Sequence, residues 1–532
     1  MKLHPVKELS VDGENNPVIY DIAYSFRGPI NGGELSASLD HIRELHGPEV
    51  YLLPLGGKSG GSGIFQVARP GDGKVVGIQL LSPMEPRVTY GETVDIKTVG
   101  LDEIIINENK NEVYAGAAIT LGQLNQGLSD ALGPKFKVMG ADLTSYTYAQ
   151  VGATFMTGGM GPQRRYFSDS VDEISLHDGN SIAAISGNDL KIYAGTYGWT
   201  GLVTAVKCRF HQLPGTEIAF AIPVNNAPAG LGALLEHFSP HTYLELNSSM
   251  VKTTASQTDL ILGLEHVTTS SMNPLFSQHG DSPIIRRARH LVEKCDAAHA
   301  DGLIFVNGYS DQGIEDFLLM LVDNQSADVM TIAGINLEHT EVFNDPDQMR
   351  ALREAIPFAA RTQKTKGKYS YKGHTDANIW INPDAVEATT QSLWEINTRY
   401  VDAVSTYFAD TSSVNGEILV YGHLNPTGVD PHNRITFSCD DTEAYENTVK
   451  FLYAKKARFL KELSMLCDKS GSVFVGGEKS AGSEYEMLPL FETIEALPDV
   501  LAKKFQLQQQ VIQEAAPAYG WRALPPYSIA LN

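Results

Sequence analysis

Apolar residues recur along this chain in two rhythms, and its elements begin and end where one gives way to the other. Glu34–His46 (ELSASLDHIRELH) sets Leu35, Leu39, Ile42 and Leu45 at helical spacing. A short apolar strand, Val50–Pro54, follows and runs into a loop, Gly56–Gly63. Val75–Leu81, Glu103–Asn107 and Val113–Ala118 read as strands, and Thr120 precedes a helical stretch over Leu121–Leu132. Met139–Gly161 is rich in Gly and Thr, and strand-like runs return at Ser181–Ser186 and Leu202–Phe210. The strand rhythm stops at Pro214, which marks a domain boundary. Beyond it, strand-like Ile218–Pro223, Leu260–His266 and Gly302–Asn307 alternate with helical Ile314–Val322, Met349–Ala360 and Ala385–Tyr407. This pattern predicts an α+β domain, an antiparallel sheet backed by helices. From Glu417 the run EILVYGHL opens a third section. It holds a long helix (Glu443–Asp468), a short strand (Ser472–Val475), a glycine loop (Gly476–Gly482) and a final helical region (Pro489–Glu514).

Composition narrows the class. A chain of 532 residues exceeds one ordinary core and predicts two or three domains. With 42% hydrophobic and 20% charged residues it is globular. A net charge of −22 repels phosphate backbones and anionic surfaces, so no nucleic-acid partner is expected. None of the four cysteines, Cys208, Cys295, Cys439 and Cys467, forms a C-x-x-C pair. They read as small core residues, not as a disulfide framework or zinc ribbon. No apolar run reaches the roughly 18 residues that span a bilayer, and the N-terminus lacks an apolar signal region. The expectation is a cytoplasmic protein without a transmembrane segment, with peripheral membrane contact left open.

Three glycine signatures carry the chemistry. The first, Pro54-Leu-Gly56-Gly57-Lys58-Ser59-Gly60-Gly-Ser-Gly63, follows a strand and can turn backbone N–H groups toward one anion. It is neither a Walker loop nor a G-x-G-x-x-G turn, and read alone it is equally a flexible surface loop. The second is Gly152-Ala-Thr154-Phe-Met-Thr157-Gly158-Gly-Met-Gly161, whose small residues and hydroxyls would let a flat ring lie against backbone. The third, Asp189–Thr204, sets Gly195, Gly198 and Gly201 before the strand that contains Val203. In order and spacing the three resemble the FAD-binding (PCMH-type) domain of the vanillyl-alcohol oxidase family, the FAD-linked oxidases. The resemblance covers roughly residues 45–215. It implies that the first loop cradles the FAD pyrophosphate, that the second segment runs beside the pyrophosphate and ring, and that the third lies near the adenine end. The covalent-tether position of some family members falls on Lys58, so the FAD is expected to be non-covalent.

A fourth signature lies near the C-terminal end. Gly422-His423-Leu-Asn-Pro-Thr-Gly-Val-Asp-Pro-His432 looks like a stretched G-H-x-G-D-G-N-x-H element of the family's D-lactate, glycolate and 2-hydroxyglutarate branch. Gly477-Glu478-Lys479-Ser-Ala-Gly482 looks like its G-E-H-G-I-G element. The resemblance implies a divalent metal on His423, His432 and Glu478, residue types that suit Zn or Mn. The two histidines are nine positions apart, against seven in the family pattern, and Lys479 stands where the family has its general-base histidine. Lys479 reads either as a solvated partner of Glu478 or as a base or substrate-binding cation. His423 and His432 read alternatively as a hydrogen-bonded histidine near the flavin and a surface one. Arg353 resembles the arginine of the family's R-E-x-I segment and could hold a carboxylate, or it is a helix-surface residue paired with Glu354. His374 and Asp376 are polar positions without an assigned role, and Arg164 and Arg165, after the second glycine segment, read equally as anion contacts or as surface charges.

The resemblance thus predicts an α+β fold. Residues 1–215 form a two-lobed FAD-binding domain, 216–410 an α+β cap, and 411–532 a section that completes the site with His423 and Glu478. It implies oxidation of a small hydroxylated substrate, a D-2-hydroxy acid first, by hydride transfer to flavin N5, with Lys479, His423 and Arg353 as catalytic candidates. The alternatives are a metal-independent alcohol or sugar oxidase or dehydrogenase, and a non-catalytic flavin-binding subunit. The electron acceptor (quinone, electron-transfer flavoprotein, cytochrome or O₂) and a homo-oligomeric state are left open.

Overall fold

The computed structural model describes residues 5–6, 21–47, 50–55, 74–143, 145–159, 161, 166–179, 181–196, 198, 200–238, 244–245, 252–253, 260–277, 281–322, 331, 334–335, 337–363, 366–376, 378–424 and 429–476. These fall into two compact units that divide between Gln212 and Leu213.

The first unit has two sheets around one core. Ile22–Phe26, Lys74–Leu80 and Val50–Leu55 run parallel, with Pro5–Val6 added antiparallel at one edge. Helix Gly32–His46 connects the first strand to Val50–Leu55. Asn31 starts it through a capping box with Glu34, and Leu35, Leu39 and Ile42 are its buried face. Gly47, at φ 92°, ends it. The second sheet is six-stranded: Ile182–Ser186, Val171–His177, Leu202–Arg209, Glu112–Gly116, Glu103–Asn107 and Arg87–Tyr90. Helix Leu121–Leu132, capped by Thr120 and Gln123, buries Leu121, Leu124 and Leu128 against it. Leu39, Ile78, Ile104, Val113, Phe155 and Val206 belong to the one core shared by both sheets.

The second unit is built on a seven-stranded antiparallel sheet. Its order is Glu341–Val342, Thr216–Val224, Gly302–Ser310, Ile261–Thr268, Asn415–His423, Asp430–Cys439 and Tyr369–Asp376. One face packs on helices Pro283–Ala297 and Pro346–Thr362 through Ala221, Val267 and Phe305. The other carries Phe220 against Phe317 (4.3 Å) and His266 against Trp394 of helix Val386–Asp410 (5.1 Å). Helix Thr442–Ser470 lies on Val386–Asp410 through Tyr400–Phe459 and Tyr407–Phe451 ring stacks at 4.7 and 3.9 Å. Among the described residues, no helix is long and apolar enough to cross a membrane.

Several elements depart from the sequence pattern. Met139–Gly161 contains a helix, Val151–Thr157, despite its glycine and β-branched residues, because Val151, Phe155 and Met156 are buried. Asp430–Cys439 (DPHNRITFSC) is polar in sequence yet all ten residues are buried, so alternation could not mark it as a strand. The strands Val171–His177 and Tyr369–Asp376 and the helices Pro228–Phe238 and Pro283–Ala297 also add to the predicted set. The glycine loop and final helical region expected after residue 476 lie outside the described residues.

His266 ties the sheet to pH. Its Nε2–H donates to Asn226 Oδ1, and burial pushes its pKa down to about 4. The fold therefore holds it neutral while the unfolded chain protonates it near 6.5. Its contribution is complete above pH 6.5 and is lost as pH falls toward 4, a change on the order of 3 kcal/mol. Urea midpoints at pH 7.5, 5.5 and 4.5 should fall in that order, and His266→Gln should flatten the decline. An unchanged slope in the variant would assign the effect to other groups.

Candidate functional site

The described parts of the three signatures lie in the first unit. Pro54 lies in Val50–Leu55, a strand at the sheet edge, where its missing N–H costs no ladder bond on the open side. Gly56, Gly57, Lys58, Ser59 and Gly60 lie outside the described residues. Of the second segment, Gly152 gives its side-chain space to Ala117, whose Cβ is 2.7 Å from where a Gly152 Cβ would stand. Gly161 likewise yields to the Asp142 carbonyl. The Thr154 hydroxyl donates to the Gln150 carbonyl (2.8 Å), and Thr157 donates to the Thr154 carbonyl (3.4 Å). Gly158, at φ 65°, caps the helix.

The third segment joins the other two. The Gly195 N–H donates to the Phe155 carbonyl at 3.1 Å. Gly198, at φ 80°, lies against Pro54, with its virtual Cβ 3.0 Å from Pro54 Cγ. Gly201, at φ 143°, faces the His177 carbonyl, whose oxygen is 2.6 Å from where a Gly201 Cβ would stand, so no side chain could share the space. Thr196 and Thr200 exchange a hydroxyl hydrogen bond of 2.9 Å, and Val203 is buried opposite Leu176. The root of the first loop, the helix of the second segment and the turn of the third are thus held together. They fit an extended cofactor in one respect: glycine backbone, at Gly195 on the Phe155 carbonyl and at Gly198 on the Pro54 ring, makes their closest contacts and leaves no bulky side chain between them.

The second unit gathers the other candidates on one sheet face. Glu265, His423 and Asp430 are register partners across three adjacent strands, so they form one row. Tyr421 and His432 form the next row. The His423 and His432 rings are 5.2 Å apart and perpendicular, and His432 Nε2 is 3.7 Å from Asp430 Oδ2. The residue seven positions after His423 is Asp430, and it, not His432, stands directly across from His423. His432 is buried, so the surface reading of this residue is corrected: a buried strand places it beside His423. His374 and Asp376 are in register with Arg434 and His432. Among the described residues, no group of three His, Cys, Asp or Glu is placed to hold a metal ion. Glu478 and Lys479 lie outside the described residues, as do Arg164 and Arg165.

Arg353 is likewise not a surface residue. Helix Pro346–Thr362 buries Met349, Leu352 and Ile356, and Arg353 shares that face. It is 3% exposed, and its Nε donates to Glu265 Oε2 at 2.6 Å. Glu265 is the residue that sequence reasoning missed; its one signal was a carboxylate inside the apolar run Leu260–Val267. The four cysteines are buried, and burial raises every thiol pKa, Cys295 and Cys467 to about 12. They are core residues without nucleophilic character.

Known structures share this architecture. Alkyldihydroxyacetonephosphate synthase superposes with a TM-score of 0.58 at 12% identity, over 95% of this chain and 76% of that one. A second crystal form of that synthase gives a TM-score of 0.56 at 11% identity, over 95% and 77% of the two chains. The 4-ethylphenol oxidase from Gulosibacter chungangensis, in complex with isoeugenol, gives 0.52 at 10% identity, over 94% and 88%. The chain has the two-domain fold of the vanillyl-alcohol oxidase type. No protein-family profile and no curated protein sequence matches it. At these identities the likeness establishes the fold; the D-lactate branch rests on the C-terminal motif alone.

The buried pair predicts a specific double-mutant pattern. Arg353→Met leaves Glu265 charged and unmatched, at a cost of about 3–5 kcal/mol. Removing both charges in Arg353→Met/Glu265→Leu should restore more than half of that loss in urea unfolding. Additive losses would show that the two side chains do not stabilise each other.

Proposed function

We propose that this chain is an FAD-dependent oxidoreductase that oxidises the CH–OH group of a small hydroxylated substrate. The observation that supports the reading most is the contact of the third glycine segment with Pro54, through Gly198, and with Phe155 of the second segment, through Gly195, within a fold of this type. Pro54, Gly152, Thr154, Thr157, Gly158, Gly161, Gly201 and Val203, with the Gly56–Gly60 loop, would hold the cofactor non-covalently. The chemistry FAD would supply when bound is acceptance of a hydride, whose two electrons would then pass to an acceptor while its proton is released. The chain's own residues bind and orient the substrate and take its hydroxyl proton. Lys479 is the proposed base, and His423 and Arg353 are the proposed substrate contacts.

The C-terminal resemblance favours a D-2-hydroxy acid, with His423, His432 and Glu478 holding Zn or Mn. An uncharged alcohol oxidised without a metal is the second reading. It is favoured by one observation: Arg353, the residue proposed for the substrate carboxylate, already meets a carboxylate in Glu265. The hydroxy-acid reading therefore needs a further positive charge, which the metal would supply.

A visible spectrum tests the cofactor and anaerobic titration tests the substrate. Flavin bands should appear and should leave with the supernatant on acid precipitation. D-lactate or D-2-hydroxyglutarate should bleach them only without EDTA if the metal reading holds; a neutral alcohol should bleach them with EDTA present if the second holds. Protein that stays colourless after incubation with FAD would overturn both.

A further inference from the structure

The sheet face that carries His423 holds a buried ion pair, and it bears on what the proposed substrate site accepts. Glu265 and Arg353 come from elements 88 residues apart and meet with side chains 3% and 2% exposed. Glu265 belongs to the same cross-strand row as His423 and Asp430. Arg434, on the strand and face of Asp430, is fully buried as well.

A charge withdrawn from water is costly unless another charge meets it. With Glu265 in place, the Arg353 guanidinium is already neutralised at Nε. A carboxylate brought to Arg353 would add a second negative charge to one guanidinium, inside a region with little water to screen it. A hydroxyl brought to the same place adds no charge and can still accept a hydrogen bond from the guanidinium. We propose that Glu265 is a specificity-determining residue that turns this site toward uncharged hydroxylated substrates and against carboxylates. The inference rests on the reading that the His423 row belongs to the substrate site, and it selects the uncharged-alcohol form of that reading over the hydroxy acid.

The experiment is calorimetric binding of 2-hydroxyisobutyrate to the flavin-containing protein, with EDTA present. This hydroxy acid has no hydrogen on its carbinol carbon, so it binds without being oxidised. Glu265→Gln keeps the size of the side chain and an accepting oxygen but removes the charge. It should bind the acid at least about tenfold more tightly than the wild type, as expected for one additional charge-assisted hydrogen bond. Adding Arg353→Gln should abolish the improvement. Equal affinity in wild type and Glu265→Gln, or binding by neither, would overturn the proposal. If Glu265→Gln does not fold, the wild type decides: it should bind the neutral isostere 2-hydroxyisobutyramide at least about tenfold more tightly than the acid, and equal or tighter binding of the acid, or binding of neither, overturns the proposal. Failure of the catalytic reading shows separately, as flavin that no hydroxylated compound reduces.

Discussion

Three stretches of the first unit approach one another through backbone, and the candidate cofactor cradle depends on the glycines that permit it. Gly201 faces the His177 carbonyl at a distance that excludes any side chain, and its φ of 143° is one that other residues rarely adopt. Gly198 allows the third segment to lie on Pro54, where the first loop begins. Gly195 reaches the carbonyl of Phe155, inside the second segment. Each contact joins sequence-distant segments, so the arrangement is a property of the folded unit and not of any one loop.

The second unit meets a different constraint, the removal of charge from water. Its sheet and the helix packed on it bury Glu265 and Arg353, and these two charges are tolerated because they meet. Hydrophobic packing of the helix stripe Met349, Leu352 and Ile356 brings Arg353 to Glu265. The strand hairpin brings His432 to His423. Packing thus decides which polar groups can act together.

Much of this was legible in the sequence. Leu121–Leu132 and Ile314–Val322 match their predicted limits, because capping by Thr120 and a continuous apolar run are local signals. The glycine signatures announced the fold type through order and spacing. What stayed hidden depends on distant partners. Asp430–Cys439 looks polar because its buried residues face other polar groups, and Glu265 looks like a lone carboxylate until Arg353 is placed beside it. The Thr154 hydroxyl gives its proton to the Gln150 carbonyl at the start of its own helix, a bond that the segment's composition does not reveal. The nine-residue spacing of His423 and His432 gave no hint that Asp430 would take the cross-strand position.

Hydrogen–deuterium exchange on the flavin-stripped protein, before and after reloading with FAD, reads the cradle directly. Slowed exchange is expected together in residues 151–161 and 195–203, since one cofactor would rest on both. Protection of neither segment, or protection confined to the second unit, would contradict the assignment of these glycine segments to FAD.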